Sequence, residues 1–189
     1  MKYLEVVTYH NTQVVSTADL KTHLRITFND DDAYIADLEK AAVQRLEEFA
    51  NIFLLESSLI QYGNSFNDLN ILFKSPIKNA NFDVKYKNSG NWLSFGNSCE
   101  LVQHIKPPRI YVNNGVSIPD ADDIFQAWRA DYIVGWSATA DIPDPIIQAI
   151  KITVSDMYEN RQSVIVGKTV SEIPRTAQYL INPYKIQTL

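Results

Sequence analysis

The residue types that most often carry chemistry are few in this sequence and widely separated. His10, His23 and His104 lie in three different segments, without the i, i+4 spacing by which a helix presents two histidines to one metal ion. Cys99 has no neighbouring histidine or pair of basic residues that would favour its thiolate. The spacing therefore predicts no metal centre and no nucleophilic active site, and we expect neither a cofactor nor an enzymatic activity.

Two short motifs resemble binding sites but lack the residues that define such sites. Residues 166–169 (VGKT) have no upstream glycine of a phosphate-binding loop. Residues 30–32 are three consecutive aspartates, which could bind a cation, but the glycine and terminal glutamate of a calcium loop are missing. We interpret these acids as the capped start of a helix, where the positive end of the helix dipole favours negative charge.

Charge is concentrated in two segments of this 189-residue chain, whose net charge is −5. Residues 30–48 contain seven acidic and two basic residues, whereas residues 74–109 contain six basic and two acidic ones. An acidic chain of this kind is poorly suited to gripping duplex DNA, although DNA could slide past it. One cysteine excludes an internal disulfide, and no apolar run is long enough to predict a membrane span.

The elements that would position any site are helices near both ends of the chain. Ser16 with Asp19 predicts the capped start of a first helix, and Pro174 predicts the start of a last one. A long helix is expected over about residues 141–162, with Asp144 as its N-cap and Pro145 at its first position. Helical spacing predicts its buried stripe, namely Ile146, Ile147, Ala149, Ile150, Thr153, Val154, Met157 and Tyr158.

A further helix is expected over about residues 31–51. Its wet face should carry Asp37, Lys40, Gln44, Glu47 and Glu48. Its apolar face should be buried against the long helix, and comprises Tyr34, Ile35, Leu38, Ala41, Ala42, Leu46 and Phe49.

The middle of the chain has the pattern of antiparallel strands. Short apolar runs alternate with Asn, Ser and Gly, residues 87–91 predict a hairpin loop, and residues 130–136 (ADYIVGW) predict a last strand. The fold class is therefore α+β. We expect a single domain over residues 1–189, with a small helical core over about 16–56 and 142–189 and an inserted antiparallel β region over about 57–136.

Polar residues at the end of the long helix interrupt its apolar stripe. Asn160 and Arg161 stand where a simple core helix would carry Leu or Ala. Arg161 could favour the negative end of the helix dipole, or it could meet a carboxylate of a neighbouring subunit. Both explanations stay open. On the second explanation, the candidate subunit interface comprises Tyr158, Asn160, Arg161, Asp37 and Glu48.

The order of these segments resembles the head–tail connector (adaptor, or head-completion) proteins of long-tailed bacteriophages. The middle of the chain matches that family only in character. The matching motifs are residues 16–26 (STADLKTHLRI), 30–35 (DDDAYI), 142–150 (IPDPIIQAI), 158–161 (YENR), 173–175 (IPR) and 183–184 (PY).

The resemblance implies a non-enzymatic virion structural protein that is assembled in the cytoplasm of a bacterial host. Such proteins form a ring of about a dozen copies beneath the portal, extend the DNA channel and dock tail-completion proteins. The implied partners are further copies of the chain, the portal protein, a tail-completion protein and DNA that passes without sequence-specific binding, with no membrane. The alternative is a β-rich module that binds carbohydrate or protein in a groove lined by Trp92 or Tyr86.

Overall fold

The computed structural model describes residues 3–160 and 173–187. Helices and antiparallel strands in this part of the chain confirm the α+β fold class. In chain order the elements are β1 (Tyr3–Thr8), α1 (Thr17–Leu24), α2 (Asp32–Ala50), β2 (Ser57–Gly63), α3 (Phe66–Leu69), β3 (Ile77–Asn88), β4 (Asn91–Ser94), β5 (Cys99–Val102), β6 (Arg109–Val112), β7 (Trp128–Val134), α4 (Asp144–Glu159) and α5 (Arg175–Ile181).

The elements group into two compact units. A sheet unit contains the chain up to His10, Asn51–Trp136 and the segment from Ile186, and a helical unit contains Asn11–Ala50 and Ser137–Lys185. The expected arrangement of one domain with an insertion stays a prediction. Within residues 3–160 and 173–187, no helix has the length and apolar character needed to span a membrane.

Helix α1 begins with the predicted cap. The Ser16 hydroxyl accepts a hydrogen bond from the Asp19 N–H at 3.1 Å and donates one to the Asp19 carboxylate at 2.6 Å. Val15 and Leu20 on either side of the cap are both buried, as a hydrophobic staple requires. The helix ends at Leu24, and its C-cap is Arg25, whose left-handed conformation (φ 58°) lets the Ile26 N–H reach the Lys21 carbonyl at 2.9 Å.

Helix α2 is rotated relative to the predicted amphipathic pattern. Ile35, Ala42 and Leu46 are buried as expected, but Ala41 is exposed and Glu47 is only 5% exposed. The prediction of Glu47 on the wet face was therefore wrong. Residue type alone assigned it there, whereas the packing of the unit buries the side of α2 that carries two glutamates, Glu39 and Glu47.

Helix α4 packs against α1, α2 and α5 through the predicted stripe. Its first residue is Asp144 and its N-cap is Pro143, one residue earlier than predicted. Five stripe residues are buried, namely Ile146, Ala149, Ile150, Thr153 and Val154. The helix ends at Glu159, so Asn160 does not continue the stripe as the sequence pattern indicated.

A five-stranded antiparallel sheet forms the sheet unit, in the order β1-β2-β7-β3-β4. The predicted last strand is confirmed as β7, which begins two residues earlier than expected and lies at the centre of the sheet. Ser89 and Gly90 both have positive φ and form the predicted hairpin turn between β3 and β4. Strands β5 and β6 pair as a separate two-stranded ribbon.

Buried residues of the sheet unit alternate along β2 and β7, where every second side chain faces inward. Three aromatic rings meet at the centre of this core, because Phe66 and Phe95 both contact Trp128 edge-on at 5.6 and 6.0 Å. Gln61 is a buried polar residue of this unit. Its amide donates to the Ile71 carbonyl at 2.8 Å, and its oxygen accepts from the Tyr132 hydroxyl at 3.4 Å. Burial raises the pKa of Tyr132.

Gly135 marks the point where the chain leaves β7. It has a positive φ of 96°, and a Cβ atom at this position would lie 2.2 Å from the Leu55 carbonyl oxygen. The approach is fixed on both sides, because the Gly135 N–H donates to the Pro76 carbonyl and the Trp136 N–H to the Leu54 carbonyl. Glycine is therefore required here for both conformation and space.

Gly135→Ala is expected to destabilise the protein by about 3–5 kcal/mol, because it adds a backbone clash to an unfavourable φ. Gly115→Ala is the matched control, since Gly115 has a similar φ of 81° with no atom within 4 Å of a Cβ. The control should lose only about 1–2 kcal/mol. Denaturant unfolding measures both losses of stability. Equal losses would show that the close approach of Gly135 to the Leu55 backbone does not add to the cost of the substitution.

Candidate interaction surfaces

Tyr158, the first residue of the predicted interface, lies within the packing of the helical unit. Its hydroxyl donates a hydrogen bond to the Asp31 carboxylate just before α2. Its ring lies 6.0 Å from that of Tyr34. Tyr158 is half-buried and joins the end of α4 to the start of α2, which gives it an intramolecular role whatever else it contacts.

Asn160 is exposed and forms the C-cap of α4. Its side-chain amide donates to the Asp156 carbonyl at 3.0 Å and to the Asp156 carboxylate at 3.1 Å. The polar residue therefore ends the helix by satisfying carbonyl groups of its last turn. Arg161 lies outside the described residues, so its predicted subunit contact stays a prediction.

Asp37 and Glu48 share one exposed face of α2. Eleven residues separate them, which is close to three helical turns and roughly 16 Å along the axis. Asp37 forms a surface ion pair with Lys40 at 3.6 Å, whereas Glu48 lies near the other end of the helix. The described members of the predicted interface thus do not form one cluster.

The residues weighed as metal or catalytic groups have ordinary structural surroundings. Asp32 pairs with Lys21 at 2.7 Å, and His10 stacks on Tyr9 at 4.3 Å. Within residues 3–160 and 173–187, no group of three His, Cys, Asp or Glu side chains could hold a metal ion. Burial, with a smaller contribution from the charge of Asp83, raises the pKa of Cys99 to about 11 and so disfavours its thiolate.

Glu39 is the residue that sequence reasoning missed. Its side chain is 1% exposed, and one carboxylate oxygen accepts the N–H groups of Val14 at 2.8 Å and Val15 at 3.1 Å. A buried carboxylate is tolerated only where such donors replace water. Glu39 therefore fixes the chain just before the α1 cap to the middle of α2. The only signal in the sequence was an acid at a position next to the apolar stripe.

Glu39→Ala is expected to destabilise the protein by about 3 kcal/mol or more, because it leaves two buried N–H groups without this acceptor. Glu39→Gln retains one acceptor oxygen and should lose less. Glu48→Ala, an exposed change on the same helix, should stay within about 0.5 kcal/mol of wild type. Chemical denaturation of the three variants provides the comparison. A Glu39→Ala loss no larger than that of Glu48→Ala would contradict this role for Glu39.

The side of the sheet that faces away from the core is charged and self-neutralised. Lys85 pairs with Asp131 at 2.5 Å and with Asp83 at 3.5 Å, and Arg129 pairs with Asp131 at 3.2 Å. The Lys85–Asp131 pair joins β3 to β7, whereas the other two pairs each lie within one strand. This face therefore offers no unbalanced basic stripe for a nucleic acid.

The two aromatic residues of the alternative ligand groove lie on opposite sides of the sheet. Trp92 is on the charged side, where Arg129 and Lys87 lie 4.6 and 5.2 Å from its ring. Tyr86 packs at the core against Trp128, with a centroid distance of 5.5 Å. No common groove is lined by Trp92 and Tyr86, and Trp92 is already engaged by two cations.

A small cleft with an acidic rim lies elsewhere on the sheet unit, with a volume of about 310 Å³. Residues 64–67 line one side, residues 118–123 line the other, and Trp128 contributes as well. The loop that contains residues 118–123 joins β6 to β7 and exposes several large apolar side chains. Sequence reasoning did not single out this loop.

Residues 16–82 match the model of a protein family described as phage gp6-like head-tail connector protein. The match confirms the resemblance that the sequence motifs indicated, and it includes the motifs at residues 16–26 and 30–35. Among curated proteins, none matches the chain.

Solved structures with similar chains come from gene transfer agent (GTA) particles. A chain in the neck of an empty GTA particle, computed with C6 symmetry, is 18% identical, with a TM-score of 0.75 over 99% of this chain and 97% of that one. A chain of the native GTA virion is 16% identical, with a TM-score of 0.76 over 98% of this chain and 96% of that one. A chain in the native GTA neck, computed with C12 symmetry, is 17% identical, with a TM-score of 0.74 over 99% of this chain and 97% of that one. These likenesses concern the fold.

Proposed function

We propose that this chain belongs to the phage gp6-like head-tail connector family, whose model matches residues 16–82, and that it is a structural protein of a phage-like virion, located between head and tail. The family match is the observation that carries the proposal. The likeness to chains of GTA particles supports it, because that likeness extends over 99% of this chain in two of the three structures.

We further propose that the protein assembles as a ring of about a dozen copies, since a closed ring repeats one contact between identical subunits. Two of the similar chains occur in particle necks computed with C6 and C12 symmetry. The ring would lie beneath the portal protein and present its other side to a tail-completion protein. Both partners come from the family resemblance.

DNA would pass through the ring without sequence-specific binding. The chain has a net charge of −5, and on the charged side of its sheet Lys85 and Arg129 are paired with aspartates. Tight binding to duplex DNA needs several unpaired cations that release counterions from phosphates. This side of the sheet would therefore let DNA move, as a channel requires.

Imaging of the assembled protein tests the ring. Negative-stain electron microscopy and native mass spectrometry should show rings of about a dozen copies, alone or once the portal protein of the same particle is added. A strictly monomeric protein under both conditions would count against the connector proposal.

Arg161→Ala tests the predicted subunit contact. Assembly should weaken, while the free energy of unfolding of the monomer stays within about 0.5 kcal/mol of wild type. Arg175→Ala is the control, because Arg175 is exposed on α5 and was not assigned to the interface. Sedimentation velocity follows assembly and thermal unfolding follows stability. A loss of monomer stability that matches the loss of assembly would instead assign Arg161 to the fold.

A further inference from the structure

The loop between β6 and β7 ends in an apex that combines negative charge with exposed apolar side chains. We define the acidic apex as residues 120–125. It contains three aspartates, and no basic residue occurs anywhere between residues 113 and 127. Phe125 is 63% exposed and Ile124 is 45% exposed. Large apolar side chains grouped in this way are typical of a surface that another protein covers.

Hydrogen bonds fix the acidic apex from both sides. The Asp122 carboxylate accepts the N–H groups of Ser89 and Gly90, each at 2.9 Å, which lowers the pKa of Asp122. On the other side, the Gln126 N–H donates to the Asn64 side chain at 3.1 Å. Ile124 and Phe125 are therefore held in place while exposed, so little conformational freedom is lost when a partner covers them.

A second surface of the sheet unit has the opposite charge. Pairing in the β5–β6 ribbon puts Tyr111 opposite Glu100 and Arg109 opposite Val102. Tyr111 is 45% exposed, and Lys106 is exposed in the turn between the two strands. We define the ribbon patch as Lys106, Arg109 and Tyr111. It offers an aromatic ring next to two cations, with Glu100 as its one acidic neighbour on the ribbon.

The two surfaces lie on different segments of the sheet unit, because the ribbon patch belongs to the β5–β6 ribbon, whereas Asp122 of the acidic apex is bound by the turn between β3 and β4. The turn with Lys106 follows Val102 and precedes Arg109, whereas the loop with the acidic apex leaves the ribbon after Val112. A ring of identical subunits needs two different patches on each chain that complement one another. Opposite charges around exposed aromatic side chains satisfy this requirement.

We propose that the acidic apex of one copy docks onto the ribbon patch of the next copy, with Phe125 against Tyr111 and with Asp120 and Asp123 facing Lys106 and Arg109. The occupant of the acidic apex is therefore a second copy of this chain. The inference rests on the proposed ring and names two surfaces that form its subunit contact.

Disulfide trapping tests the contact directly, even where association is weak. Phe125→Cys and Tyr111→Cys are made in separate full-length chains, mixed and oxidised. We expect heterodimers at roughly ten times the yield of either variant alone, because the contact joins unlike patches. Wild-type protein is the blank for Cys99, whose raised pKa of about 11 slows its reaction. A heterodimer yield no higher than that of each variant alone would overturn the proposal.

A matched control separates specific docking from random collision. Leu93→Cys replaces another exposed apolar residue of the sheet unit, at 43% exposure on β4, and should give only the background yield with Tyr111→Cys. Equal yields from Leu93→Cys and Phe125→Cys would overturn the inference.

Charge reversal provides an independent readout. Asp120→Lys with Asp123→Lys in the Phe125→Cys chain should abolish trapping, and Lys106→Glu with Arg109→Glu in the Tyr111→Cys chain should restore it. Rings that form in wild type without apex-to-ribbon trapping would remove this inference and leave the connector proposal standing. Absence of both rings and trapping would remove the two together.

Discussion

A buried carboxylate determines how the helical unit begins. Glu39 lies inside the unit at 1% exposure and holds the N–H groups of Val14 and Val15. Because an unsolvated carboxylate is costly, this arrangement persists only while those two residues stay in place. They lead directly into Ser16, whose cap starts α1 and orients Leu20 toward the interior. One side chain on α2 thus determines where the first helix begins. Both helices lie within residues 16–82, which match the model of the connector family.

The sheet unit depends on a corresponding backbone constraint. Gly135 allows the end of β7 to approach Leu55 closely, and β7 is the central strand against which β2 and β3 pair. On the side away from the core, Asp131 pairs with Lys85 across the strands and with Arg129 within β7. The charges on this side of the sheet are therefore balanced, whereas the acidic apex and the ribbon patch carry unbalanced charge.

Local signals in the sequence predicted local structure well. Ser16 with Asp19, Ser89-Gly90 and Pro174 each act on the few residues beside them, and the structure confirms all three. Predictions that depended on distant residues were less accurate. Glu47 was assigned to solvent by its charge and Asn160 to the helix by its spacing, but packing buries the first and a cap removes the second from the helix. Glu39 could not have been found without knowing that Val14 and Val15 return to α2.

The residues that match the family model and the residues of the two proposed surfaces lie in different parts of the chain. The family match covers residues 16–82, which include α1, α2 and β2. The acidic apex and the ribbon patch lie between residues 106 and 125, beyond that match. Packing of a core can be kept by many sequences, because apolar side chains of suitable volume replace one another, whereas a charged contact between copies requires specific partners on both sides. Related chains can therefore share a fold while their surface residues differ, and in the proposed ring those surface residues would determine which copies associate.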